Sequence, residues 1–316
     1  MISVSTAVAP TQAQAVHTRP TQSQPIQSQP ITICVALGGG SARGYAHIGA
    51  LASLERHGFP PDVIAGTSFG AVIGALYASG HSVERMTREA GQLRRRDLLP
   101  SVTDFGLHRA ALFQGDKLEA YFDRILEGRH FEDLDKHLVV VATDVDTGER
   151  VLLNKGSVAR AVRASSSMPG IFAPVDIDGR RLVDGGLGSP VPLDTLTGMG
   201  VDLAIGIGAG TTCDDSAVIQ AAQRFLTTQF GKRLHRSLHD SVATHPLSRL
   251  GRGLAYTADT YLPQPECEER LQVHTNPPIS WLHFHRAEHA IIAGERALEA
   301  FIPRIHQALG LSPAVS

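Results

Sequence analysis

Three short stretches bring together residue types that can do chemistry: "GTSFG" at 66–70, "LGGGSARG" at 37–44 and "LVDGG" at 182–186. Gly66-Thr67-Ser68-Phe69-Gly70 is a G-x-S-x-G. On a strand-to-helix turn, that pattern holds a serine in a strained backbone with its Oγ exposed, and the flanking glycines admit neighbouring segments at close range. Ser68 then reads as a nucleophile; the competing reading is a helix N-cap serine. A serine nucleophile needs a proton acceptor and, once it attacks a carbonyl, donors for the resulting oxyanion. Gly38, Gly39 and Gly40 can bring main-chain N–H groups beside Ser68, because glycine tolerates unusual dihedrals and close approach. A dinucleotide loop is the rival for the same glycines. It fails on spacing, since Arg43 or Ser41 falls where a strict G-x-G-x-x-G needs glycine. The second strand also ends in "GTSFG", without the acidic residue that would bind a ribose. No G-K-[ST] follows, which sets aside a P-loop.

The base is less determined. An ordinary triad hydrolase would place an acid and then a histidine downstream of Ser68. His274, His283, His285 and His289 are available, yet none lies in a glycine-bounded loop. Asp184, at the end of an apolar run and followed by Gly185 and Gly186, is the better-placed carboxylate. It fits a catalytic base and a turn aspartate making an Asx hydrogen bond equally well.

These residues need a scaffold, and the hydrophobic pattern supplies one. "ITICVAL" (31–37) reads as a buried parallel strand, followed by a helix from Gly44 to His57 that Gly58 closes. Residues 62–66 and 69–80 repeat strand, turn and helix. Parallel strands would deliver both loops to one edge of a sheet. Helices follow at 82–96 and 115–127, separated by the irregular, partly apolar 98–113. Strands follow at 137–145 and 150–154, and a helix at 157–168 stopped by Pro169. Strands at 180–186 and 202–210 and helices at about 215–240 and 284–309 complete the pattern. Alternating strands and helices imply an α/β fold with a mainly parallel sheet covered on both faces.

Composition narrows the function. A chain of 316 residues with net charge −2 has no electrostatic footprint of a nucleic-acid binder. Cys34, Cys213 and Cys267 are widely spaced with no CxxC pair, so neither a disulfide framework nor a zinc site is indicated. His285 and His289 stand at i,i+4 but lack a convincing third ligand, so no metal is expected. Residues 1–30 are rich in Gln, Pro, Ser and Thr and read as a disordered tail; 31–309 form the domain and 310–316 a short C-terminal tail. The apolar stretch Val63–Ala78 is interrupted by Thr67 and Ser68 and is shorter than the roughly 20 residues of a membrane span. With no secretion-signal pattern at the start, the chain reads as cytoplasmic. Peripheral membrane contact is one reading of Arg94–Arg96 and of the 215–240 helix, where Phe225, Leu226, Phe230 and Leu234 neighbour Lys232, Arg233 and Arg236. A solvated helix end, core packing or self-association are the others, and the oligomeric state is not set by the sequence.

In order, "ALGGGSARGYAHIGAL", "IAGTSFGAVIGALYASG", "VVVATDVDTGE", "AVRASSSMPGIFAPV", "RLVDGGLGSPVPLD" and "WLHFHRAEHAIIAGERAL" resemble the patatin-like phospholipases. The bacterial branch related to the neuropathy target esterase domain is the nearest in pattern, and the likeness runs over about 31–309. The resemblance implies a three-layer α/β/α fold and a Ser-Asp dyad without histidine. Ser68 would be the nucleophile, Asp184 the base, and the amides of Gly39 and Gly40 the oxyanion hole, with Arg43 fixing that loop or stabilising charge. Gly38, Gly44, Gly66, Gly70, Gly185 and Gly186 would support these motifs. It implies no cofactor and a lipid ester substrate, a phospholipid or lysophospholipid, hydrolysed through an acyl-enzyme. Acyl transfer to another acceptor, a Ser-His-Asp triad and a non-catalytic lipid-binding regulator are the alternatives. The chain departs from the family pattern at Ser41, where a further glycine is common, and at His283 and His285, where relatives tend to be acidic or polar.

Overall fold

The structure, a computed structural model, describes residues 31–92, 104, 111–196, 201–210, 270–280 and 283–311. The tail at 1–30, most of the apolar connection at 98–113, Arg94–Arg96 and the 215–240 helix lie outside the described residues.

The N-terminal half is built as its pattern dictates. Strand β1 (Ile33–Leu37) leads through a 3₁₀ turn at Ser41–Tyr45 into helix α1 (Ala46–Arg56); strand β2 (Val63–Thr67) leads directly into helix α2 (Phe69–Ala78). Helix α3 (Val83–Gln92), strand β3 (Ala111–Phe113) and helix α4 (Asp116–Ile125) follow. Next come strands β4 (His137–Asp144) and β5 (Arg150–Leu153), helix α5 (Val158–Ser165), and strands β6 (Gly170–Phe172), β7 (Val175–Ile177), β8 (Arg180–Asp184), β9 (Leu203–Gly208) and β10 (Arg270–His274). Helices α6 (Ala287–Glu299) and α7 (Ile302–Ala308) close the described chain.

The main sheet runs β10-β9-β1-β2-β4-β8-β7, with β5 also paired to β4. The pairs β10–β9, β9–β1, β1–β2 and β2–β4 are parallel, whereas β5 and β8 run antiparallel to β4, and β7 antiparallel to β8. It is an α/β fold with a mainly parallel central sheet. Every residue of β1 is buried, and alternate side chains serve opposite faces. Ile33, Val35 and Leu37 join the main core with α1, α2 and α6, whereas Cys34 and Ala36 pack with Val63, Ala65, Leu193 and Leu196 on the other face. Burial on both faces explains why the run is continuously apolar instead of alternating.

Two features differ from the sequence pattern. The apolar periodicity from 284 to 309 reads as one helix, yet the chain forms a 3₁₀ turn at Phe284–Arg286 and breaks again between α6 and α7. Pro303, in the first turn of α7, has no N–H to continue the ladder, and a first turn is where proline is tolerated. Helix α5 also ends at Ser165, before Pro169, and the freed segment bends into β6, which pairs in parallel with β3 in a separate two-stranded sheet.

Helices α1 and α6 approach at backbone contact. A Cβ on Gly49 would lie 1.9 Å from the Ile291 carbonyl oxygen, and one on Gly294 would lie 1.8 Å from that of Ala46. At the solvent edge of this crossing, Arg56 pairs with Glu295 and Glu299. Because α1 begins where the glycine loop ends, this packing sets the position of that loop.

Candidate active site

Strand β4 is the ruler of the site. Its Val141 is the register partner of Thr67, the last residue of β2, and its next residue, Ala142, is the partner of Asp184, the last residue of β8. The ends of two strands far apart in sequence are thus brought one residue step apart. Ser68 Oγ donates to Asp184 Oδ2 at 2.7 Å. Asp184 is 8% exposed, and its other oxygen accepts the Gly186 N–H at 2.8 Å. The Asx reading of "LVDGG" is the observed bond to Gly186, and it leaves the other carboxylate oxygen facing the serine.

Ser68 sits at φ 53°, ψ −124°, a sparsely populated conformation for a residue with a side chain. Strain of this kind costs about 1–3 kcal/mol and persists only where the surroundings dictate it. Here they do. A Cβ on Gly70 would lie 2.2 Å from the Leu37 carbonyl oxygen, and one on Gly66 2.5 Å from Ala71 Cα, so α2 presses against β1 and its own turn. The Ser68 amide donates to Ser165 Oγ at 2.8 Å, and Ser165 Oγ in turn donates to the Val141 carbonyl at 2.6 Å. Thr67 Oγ1 donates to the Ser189 carbonyl at 3.0 Å, tying the serine turn to the loop after Asp184.

The glycine loop passes beside Ser68: a Cβ on Gly39 would lie 3.4 Å from Ser68 Cβ. Its amides are not equivalent. Gly38 N–H donates to the Ile207 carbonyl at 2.9 Å and Gly39 N–H to the Pro190 carbonyl at 3.0 Å. Gly39, expected as one of two oxyanion donors, thus has its N–H already engaged, and what it contributes is proximity. Gly40, at φ 156° and ψ 6°, carries no such bond among the described residues. Ser41 adopts φ 50°, so the side chain that replaces the family's glycine stands in a left-handed conformation. Arg43 is buried behind the loop, with its Nε unpartnered. Gly44 is packed against Phe69, and a Cβ on Gly185 would lie 2.1 Å from the Val141 carbonyl oxygen.

The electrostatics follow from this enclosure. Burial pushes the Asp184 carboxyl up from 3.8 to about 6, the Gly186 N–H and the Ser68 hydroxyl pulling in the opposite direction. None of the histidines considered for a triad is the hydrogen-bond partner of Ser68 Oγ, which donates to Asp184, although Phe284 packs its ring on Phe69 at 5.8 Å. His283 and His285 stack edge to face on each other at 5.4 Å, and His274 lies against Gly208 at the end of β10. Among the described residues, no three His, Cys, Asp or Glu side chains stand close enough together to hold a metal ion.

Two residues of this neighbourhood escape the motif reading. Ser165, in "ASSSMPG", looks like one of three interchangeable serines before a proline; only the fold selects it as the partner of Ser68 N–H. His47, in "GYAHIGAL", is wholly buried, and its Nε2 donates to the Gly38 carbonyl at 2.8 Å. Its signal was a lone polar residue on the apolar face of α1.

A strained serine on a strand-helix turn, hydrogen-bonded to a buried carboxylate on an α/β sheet, is an arrangement with the parts that acyl hydrolysis requires. The comparisons specify the family. Residues 35–197 match the family model described as patatin-like phospholipase. An uncharacterized NTE family protein of Mycobacterium tuberculosis is 33% identical over 75% of this chain and 68% of its own length. Human patatin-like phospholipase domain-containing protein 6 is 35% identical over 57% of this chain, which corresponds to 13% of that much longer protein. Among solved structures, VipD from Legionella pneumophila aligns with TM-score 0.49 and 15% identity over 87% of this chain and 67% of its own. The chain belongs to the patatin-like phospholipase family, whose members are lipid ester hydrolases. Among the described residues, no helix is long and apolar enough to cross a membrane.

Proposed function

We propose that the protein hydrolyses carboxylic ester bonds of phospholipids or lysophospholipids through a Ser68–Asp184 dyad and an acyl-enzyme. The observation that carries this reading is the 2.7 Å bond from Ser68 Oγ to a buried carboxylate. Asp184 takes the hydroxyl proton as Oγ attacks the ester carbonyl, and the tetrahedral oxyanion forms beside the glycine loop. There the N–H of Gly40 is the uncommitted donor, and one such donor is worth about 3–4 kcal/mol in the transition state. Asp184 then returns the proton to the leaving alcohol. In the second half it deprotonates a water that attacks the acyl-Ser68 carbonyl, and the collapse of that intermediate frees the fatty acid and restores the serine. Two consecutive roles for one carboxylate require a pKa near the working pH, which burial supports here.

The test is hydrolysis of a panel of phospholipids and lysophospholipids by the wild type, Ser68→Ala and Asp184→Asn. Both substitutions are expected to lower turnover by at least about 10³-fold, in the range of losses seen when a member of a catalytic unit is removed. A fluorophosphonate is expected to label the wild type but not Ser68→Ala. Turnover that survives in either variant defeats the dyad, and a product formed only with an added alcohol acceptor defeats hydrolysis in favour of acyl transfer.

A further inference from the structure

We propose that His47 is a positioning residue for the oxyanion loop: its Nε2–H bond to the Gly38 carbonyl locks the Gly38–Gly39 peptide, so that the next peptide presents the Gly40 N–H to the reacting carbonyl. The proposal rests on the dyad reading above and extends it to a buried residue of the glycine-loop motif to which the sequence assigns no role.

A trans peptide points its C=O and N–H in opposite directions. The Gly38–Gly39 unit is held at both ends, its carbonyl by His47 Nε2 at 2.8 Å and its N–H by the Pro190 carbonyl at 3.0 Å. Such a clamp is needed because the flanking residues are glycines. Without Cβ atoms, φ and ψ at Gly38, Gly39 and Gly40 are free over much of their range, and a flipped peptide would turn a carbonyl oxygen toward the oxyanion in place of a donor. The rest of the wall cannot replace the histidine. A Cβ on Gly70 would lie 2.5 Å from the Gly38 oxygen, so α2 packs against that carbonyl but offers it no side chain.

The tautomer follows from the acceptor. A carbonyl accepts only from a protonated nitrogen, so Nε2 carries the hydrogen and Nδ1 is bare. Nδ1 is buried and has no partner. Burial also pushes the ring's pKa down to about 4, which keeps it neutral at neutral pH, while the bond to the Gly38 carbonyl sets the tautomer. A core histidine present only to fill space would not need the Nε2–H; a positioning one does.

The experiment uses the full chain and p-nitrophenyl butyrate, a short ester that requires no lipid surface. The amide nitrogen of glutamine can reach where Nε2 stands, whereas that of asparagine reaches only as far as Nδ1. His47→Asn is expected to lower kcat about 10- to 100-fold with KM within about twofold, in keeping with the cost of a misplaced reacting group. His47→Gln is expected to keep kcat within about threefold of the wild type, at a melting temperature matching that of His47→Asn. Wild-type kcat in a folded His47→Asn variant overturns the proposal, as does a loss of kcat that tracks the melting temperature across both variants. Whatever the variants' folding, ¹⁵N spectra of the wild-type imidazole must show the Nε2–H tautomer at pH 7, and an Nδ1–H tautomer overturns the proposal. Turnover unchanged in Ser68→Ala would instead bring down the dyad reading, and this proposal with it.

Discussion

A carboxylate at its ordinary pKa is a poor base for a serine hydroxyl, and in the proposed dyad the enclosure of Asp184 is what changes that. With the carboxyl pushed up to about 6, the ionised form that accepts the proton is gained as pH rises and lost as it falls. The kcat/KM of p-nitrophenyl butyrate is therefore expected to rise about tenfold per pH unit below about 6 and to level off above it. A limb centred near 4, measured by initial rates between pH 4 and 8, would show that the carboxylate is solvated during turnover and that burial does not tune it. At this scale the sequence named Ser68 and Asp184 from their glycine-flanked turns. It left the role of Asp184 open, because an Asx bond and a base look alike in a string of residues. Ser165 and His47 were not legible as parts of the site. Their roles lie in hydrogen bonds to Ser68 N–H and to the Gly38 carbonyl, whose backbone partners are brought within reach only by the fold.

The elements place these groups through close approach, and glycines in helices mark where. Replacing a helical glycine by alanine ordinarily adds about 0.5–1 kcal/mol of stability. At the crossing of α1 and α6 the sign is expected to reverse, because the new methyl carbon would lie within 2 Å of a backbone oxygen at Gly49 or Gly294. Each of Gly49→Ala and Gly294→Ala should cost at least about 2 kcal/mol, as overpacking does, in urea unfolding. Gly91→Ala, in α3 where nothing lies within 4 Å of the new atom, should instead gain a few tenths to about 1 kcal/mol. Similar effects at all three positions would show that the helices separate without cost. The spacing of "HIGAL" and "IIAGERAL" announced two helices with glycines in them. That each glycine meets the backbone of the other helix was not readable, since it needs the partner helix from more than two hundred residues away.

Across the whole molecule, the parallel order was legible because β1, β2, β4 and β9 are continuous apolar runs buried on both faces, each ending in polar or glycine-rich turns. Strands β3, β6 and β7, of three residues each, carry no pattern long enough to read, and the break before α7 was masked by apolar periodicity on both sides of Pro303. What such a fold gives up to hold its site is open to measurement. A carboxyl raised from 3.8 in the unfolded chain to about 6 in the folded one stabilises the native state only while protonated. Its contribution is full below pH 4, declines through about 6, and is absent above pH 7, a swing of about 3 kcal/mol. Asparagine fills the same space and can keep the bond from Gly186, but does not titrate. The difference in unfolding free energy between Asp184→Asn and the wild type should therefore be small at pH 4 and grow to about 3 kcal/mol in favour of the variant by pH 7.5, since the other titrating groups are shared and cancel. Urea titrations at four pH values between these limits measure it. A difference that stays flat with pH would mean that the ionised carboxylate is not penalised by its burial, and the basis for its raised pKa would be lost along with the base strength that the proposed chemistry requires.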